Sequence, residues 1–179
     1  EGDFPNSEEF YSKQVSLPIY PSLSDSEMRY VVDEINKVII AAGYRVEDIE
    51  NYFNNLDLEF EVIVQPEEVP LGTGGAIANC RKHITGTFLV INGDLITSVE
   101  ISSLIKHHRN SKVLASISLF EVDDPTRFGV VELSEDKKIL QFQEKPQLED
   151  ALSNLINAGT YVLEPEIFDL MPNGAHSME

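Results

Sequence analysis

Tryptophan is absent, cysteine occurs once, and basic residues are scarce: 13 Lys and Arg stand against 31 Asp and Glu, a formal net charge of -18. Each shortage excludes something. A lone Cys80 leaves no internal disulfide framework and no multi-cysteine metal cluster. Without Lys/Arg clusters the chain has nothing to neutralise a nucleic-acid backbone, and an anionic membrane surface is disfavoured for the same reason. No apolar run approaches the ~20 residues of a spanning helix, and the opening Glu1-Gly2-Asp3 has no signal-peptide character, so a cytoplasmic protein is expected. No serine sits in a nucleophile elbow, which leaves acyl-transfer hydrolysis unsupported. What is present is ordinary globular material, 42% hydrophobic and 25% charged over 179 residues, the length of one domain with an appendage. An anionic ligand would need a divalent cation, or a few well-placed side-chain cations, to be accepted by so acidic a protein.

Residues 2–7 read as a turn, and residues 15–20, punctuated by Pro18 and Pro21, as an edge strand or extended arm. Ser24-Asp25-Ser26-Glu27 forms a capping box, and Met28, Val31, Val32, Ile35, Val38 and Ile39 follow at helical spacing, predicting an amphipathic helix. After Gly43 the rhythm changes. Helices are predicted over 46–53, 73–83 and 101–110, and strands over 59–65, 87–91 and 113–119. That alternation argues for an α/β fold with a mostly parallel sheet and flanking helices. Residues 130–133 and 139–142, joined by Ser134-Glu135-Asp136-Lys137, read as a β-hairpin, and 160–163 as a further strand.

Three local patterns could carry chemistry. Asn92-Gly93-Asp94 directly follows an apolar strand, and ligands of open α/β sheets bind outside the carboxyl ends of strands. A carboxylate there suits Mg²⁺, a hard cation that often bridges to substrate phosphates; the triplet is also good turn chemistry, the commoner role of such a triplet taken alone. Leu71-Gly72-Thr73-Gly74-Gly75-Ala76 is a glycine-rich entry to a helix, suited either to close approach of backbone amides to a ligand or to tight helix packing. Neither the dinucleotide fingerprint nor a P-loop is present. Glu144-Lys145-Pro146 offers a compact cation for a phosphate beside an acceptor of sugar hydroxyls, or else a surface ion pair. His107 and His108 are adjacent, cannot chelate together, and are expected on a solvated helix face. Cys80 reads as a small core residue.

With Asp124-Pro125-Thr126-Arg127-Phe128-Gly129-Val130-Val131 and Asn157-Ala158-Gly159-Thr160-Tyr161, these motifs stand in the order of the sugar-1-phosphate nucleotidyltransferases. The chain resembles the mannose-1-phosphate guanylyltransferase and glucose-1-phosphate thymidylyltransferase branch from about Tyr44 onward. That resemblance implies an incomplete Rossmann-like sheet and the conversion of a nucleoside triphosphate and a sugar-1-phosphate into an NDP-sugar and pyrophosphate. It implies Gly72 and Thr73 at the base and ribose, with Glu67 or Glu68 helping to read the base. Asp94 becomes the Mg²⁺ carboxylate; Gly129, Glu144 and Asn157 become the sugar contacts, and Lys145 the cation for the sugar phosphate. A homo-oligomer is compatible with it. The family opens with a strand and a glycine-rich loop whose arginine cradles the triphosphate, and nothing before Gly43 resembles that segment. The 179 residues are therefore expected not to turn over.

The N-terminal part resembles something else. Phe4-Pro5-Asn6-Ser7-Glu8, Ser16-Leu17-Pro18-Ile19-Tyr20-Pro21 and the Ser24-capped helix look like the C-terminal end of a pyridoxal-phosphate-dependent sugar aminotransferase. This divides the chain into an aminotransferase-like segment, 1–43, and a partial nucleotidyltransferase domain, 44–179, a mosaic of the two. It leaves two rival functions, an aminotransferase fragment and a non-catalytic remnant that binds a sugar phosphate or nucleotide.

Overall fold

The computed structural model describes residues 36–95 and 99–178. The turn, the extended arm and the Ser24-capped start of the helix lie outside them. Where the expected helix should continue, Val38 and Ile39 instead belong to a strand, β1 (Lys37–Ala42). The correction has a plain cause. Val38, Ile39 and Ile40 are consecutive β-branched residues, stiff at χ1 and favoured on a pleated surface. A parallel partner, β2 (Glu61–Pro66), takes up their backbone groups, in register from Lys37 opposite Glu61 to Ala42 opposite Pro66. Helix α1 (Val46–Asn54) is the crossover between them.

Helix α2 (Gly72–Asn79) follows β2, and then β3 (Phe88–Ile91), helix α3 (Ile101–Ser111) and β4 (Ala115–Glu121). The hairpin is β5 (Gly129–Leu133) with β6 (Ile139–Glu144), its turn closed by Lys137 N–H donating to Ser134 O at 2.9 Å. Last comes β7 (Leu155–Leu163).

The α/β class and the flanking helices are as expected, but the larger sheet is not mostly parallel. β7 runs antiparallel to β3, β4 and β5, and β5 antiparallel to β6, so β1 with β2 is the parallel pair among the described residues. Strands β3 and β4 do point the same way, as a β–α–β unit requires. They are separated by β7, which arrives from much later in the chain and lies between them.

Alternation along β7 then sorts its side chains. Tyr161 and Leu163 face α2 and form the core with Ile77 and Phe168, against which Phe88 stacks at 5.5 Å. Asn157 and Gly159 continue that same face beyond the core. Thr160 and Val162 are buried on the opposite face. There His108 of α3 is 1% exposed, its Nδ1 paired with Ser116 Oγ at 2.9 Å and its Nε2 with Glu164 Oε1 at 3.1 Å. The solvated-face expectation thus holds for His107 and fails for His108, because neighbours on a helix point about 100° apart. Cys80 is buried as expected.

Candidate functional site

The carboxyl end of β3, the amino end of β7 and the open end of the β5–β6 hairpin meet around a cavity of about 510 Å³. Asn92 and Asp94 stand just past β3; Asn92 N–H donates to Gly159 O at 2.9 Å, which ties the end of β3 to β7. Gly159 adopts φ +64°, the left-handed region that favours glycine, and a Cβ there would press on Leu95 Cδ1 and lie 2.8 Å from Asn92 Nδ2, so both side chains would have to shift. From the same face of β7, Asn157 Nδ2 donates to Tyr161 Oη at 2.7 Å, and Asn157 Oδ1 accepts from Gly159 N–H at 2.9 Å. The Asn157 amide is thereby held in one orientation.

The hairpin contributes Gly129 opposite Glu144 in register. One residue on, Lys145 N–H donates to Phe128 O at 3.0 Å, and Lys145 takes up φ +43°. A left-handed non-glycine residue costs about 1–2 kcal/mol, a local strain located at the cavity rim. Lys145 Nζ lies 3.0 Å from Glu144 Oε1, both side chains more than half exposed. The ion pair allowed by the sequence is real, and at that exposure it is worth at most about 1 kcal/mol. It lines the cavity all the same.

Of the residues singled out from the sequence, Thr73, Asp94, Gly129, Glu144, Lys145 and Asn157 line this one cavity; Gly72 does not. Gly72 has φ +70°, and a Cβ on it would come within 2.6 Å of His176 O. The glycine loop as a whole is engaged by residues 174–178 rather than open. Gly74 and Gly75 N–H groups both donate to His176 O, at 3.0 and 3.2 Å, and His176 N–H donates to Leu71 O at 2.9 Å. These contacts supply the N-terminal cap that α2 lacks from any side chain. Thr73 Oγ1 accepts from Met178 N–H at 3.0 Å, which leaves its hydroxyl proton available to donate. Glu67 is engaged too, its Oε2 accepting from Leu71 N–H at 3.1 Å.

A protein-family model described as Nucleotidyl transferase matches residues 4–178. The chain belongs to the nucleotidyl transferase family. The match takes in most of the 1–43 segment as well as the rest. Among curated relatives, the bifunctional protein GlmU of Methanococcus maripaludis is 35% identical over 164 residues, 89% of this chain and 38% of that protein. The mannose-1-phosphate guanylyltransferase of Mycobacterium tuberculosis is 34% identical, over 86% of this chain and 43% of its own length. This nucleotidyl transferase chain thus spans well under half the length of those relatives. Among solved structures, HddC from Yersinia pseudotuberculosis complexed with GMP-PN superposes with a TM-score of 0.67 at 30% identity. The likeness covers 85% of this chain and 67% of that one.

Several cavity residues of this nucleotidyl transferase were not picked out from the sequence. Arg127 and Phe128 sit inside a motif already noted, as do Gly159 and Tyr161, so their neighbours carried the signal. Ser177 carried none, because its place depends on residues 174–178 folding back over the glycine loop. Among the described residues there is no cluster of three metal-ligating side chains, and no helix is long and apolar enough to cross a membrane. Asp94, exposed at a strand end, suits instead the mode in which Mg²⁺ keeps its waters and takes one or two carboxylates plus substrate phosphates.

Proposed function

We propose that the cavity binds a sugar-1-phosphate beside a nucleoside triphosphate and serves nucleotidyl transfer to give an NDP-sugar and pyrophosphate. One observation carries this reading: residues from five separate stretches of sequence, Thr73, Asp94, Gly129, Glu144-Lys145 and Asn157, converge on one cavity. Its volume, about 510 Å³, is in the range of small-molecule sites.

Each residue then has a task its chemistry allows. Asn157, fixed by Tyr161 and Gly159, and the carboxylate of Glu144 bind sugar hydroxyls, while Gly129 leaves room for the ring. Lys145 holds the sugar phosphate, one oxygen of which attacks the α-phosphorus as the bond to the departing pyrophosphate breaks. Thr73 donates its hydroxyl to the nucleotide, and Gly72 serves by letting the loop turn. Asp94 is the residue that would hold Mg²⁺, which supplies neutralisation of phosphate charge. That need is pronounced in a protein of net charge -18.

On this reading the 179 residues bind a sugar phosphate with Mg²⁺ but release no pyrophosphate by themselves, since the triphosphate-cradling loop has no counterpart in them. Calorimetric titration with mannose-1-phosphate, GTP and dTTP, each with and without Mg²⁺, tests it. Saturable Mg²⁺-dependent binding is expected. Absence of binding by every one of them would overturn the reading, and Mg²⁺-dependent pyrophosphate release would overturn the inactivity.

A further inference from the structure

Arg127 has no role in the scheme above, yet it lines the same cavity. Four charged side chains stand there, Asp94, Glu144, Arg127 and Lys145, and their formal charges cancel. The two cations are not equivalent. Lys145 Nζ is already 3.0 Å from Glu144 Oε1. The guanidinium of Arg127 makes no hydrogen bond or ion pair among the described residues. Its influence on a neighbour is a weak one: the Asp124 carboxyl is held below its usual range first by the Thr126 hydroxyl, then by the Thr126 amide, and only lastly by Arg127.

The backbone places both cations at one end of the hairpin. Gly129 pairs with Glu144, and Lys145 N–H extends the ladder to Phe128 O, so Arg127 and Lys145 leave the β5–β6 ladder together. The alternative anion cradle nearby is closed, because the Gly74 and Gly75 amides are spent on His176 O. A dianionic phosphate monoester therefore meets one neutralised cation and one whose planar fork of donors is uncommitted.

We propose that Arg127 is a second phosphate-binding residue, holding the phosphate monoester of the sugar substrate together with Lys145. This rests on the sugar-phosphate reading of the cavity. Its test compares the full chain with Arg127→Gln, Arg127→Lys and Lys145→Ala, titrating mannose-1-phosphate and GTP separately with Mg²⁺ at two salt concentrations. A charge-assisted hydrogen bond of about 1.5 kcal/mol corresponds to roughly tenfold in affinity. Arg127→Gln should weaken mannose-1-phosphate about tenfold or more, flatten the salt dependence of that binding, and leave GTP within about twofold. Arg127→Lys should recover part of the loss. Arg127 is exposed, so the thermal midpoint should not move, and a purely structural role would not alter the salt dependence. Undiminished mannose-1-phosphate binding by Arg127→Gln, while Lys145→Ala abolishes it, would overturn this assignment alone. A loss confined to GTP would overturn it too. A wild-type chain that binds neither probe would overturn the cavity reading with it.

Discussion

The carbonyl oxygen of His176 accepts the amide protons of both Gly74 and Gly75, so the start of helix α2 is capped by backbone from about a hundred residues away. A loop whose composition suits ligand approach is thus engaged within the chain itself. The glycines are needed because the covering backbone lies so close.

That closeness has a measurable consequence. A Cβ on Gly75 would stand 2.8 Å from Gly174 O, and one on Gly74 would stand 2.7 Å from Ser177 O and from the His176 ring nitrogen Nε2. Gly74→Ala and Gly75→Ala should each destabilise the fold by about 1–3 kcal/mol, the usual cost of overpacking. Gly86→Ala, where a Cβ meets nothing within 4 Å, should be close to neutral. Chemical denaturation midpoints of the three variants provide the check.

At the opposite face of the sheet, His108 links Ser116 of β4 to Glu164 just past β7. Glu164 in turn accepts from Thr87 Oγ1, at 3.0 and 2.9 Å to its two oxygens. Replacing His108 with leucine leaves the buried Ser116 hydroxyl without that partner. We expect a loss of about 1–3 kcal/mol, the cost of orphaning a buried polar group. His107→Leu, on the exposed neighbour, should change the denaturation midpoint little.

Burial first, and the charge of Glu67 second, push the Cys80 thiol above its usual pKa. The folded protein then keeps a proton that the unfolded chain gives up at ordinary thiol pKa. Stability from this source is fully present below about pH 8.5 and falls as the pH rises beyond it. Cys80→Ala should remove that alkaline decline from the pH profile of the denaturation midpoint. In the native protein, Cys80 should resist alkylation at neutral pH until denaturant is added.

The sequence disclosed local features well and distant ones poorly. Helices α1 and α3, the hairpin and strands β2 to β4 were readable because periodicity, turn residues and β-branching are properties of neighbours. Val38 and Ile39 misled because an apolar run at that spacing fits a helix stripe and a strand alike. The insertion of β7 between β3 and β4 left no local trace, since strand pairing is decided by residues some forty to seventy positions apart. At the cavity, Asp94, Lys145 and Asn157 were legible through their motifs. The contact of Thr73 with Met178, 105 residues away, was not. His108 shows the same limit on a smaller scale: its burial follows from what α3 packs against, which adjacency to His107 does not reveal.

Gly159 joins backbone conformation to the site, with φ +64° and Asn92 directly against it. Gly159→Ala should displace the Leu95 and Asn92 side chains and the Asn157 amide that Gly159 N–H orients, at a cost of about 1–3 kcal/mol in stability. It should also weaken mannose-1-phosphate binding by more than that stability loss explains at temperatures where the variant is folded. Calorimetry below its unfolding transition separates the two effects.

The central claim is that Gly129, Lys145, Asn157 and Gly159, distant in sequence, serve one ligand. Amide chemical-shift mapping of the full chain during titration with mannose-1-phosphate and Mg²⁺ tests it most directly. The account predicts that the amides of these residues shift together along a single binding isotherm, with α1 and the hairpin turn at Lys137 unmoved. Shifts centred elsewhere, or saturation without movement at these positions, would contradict it.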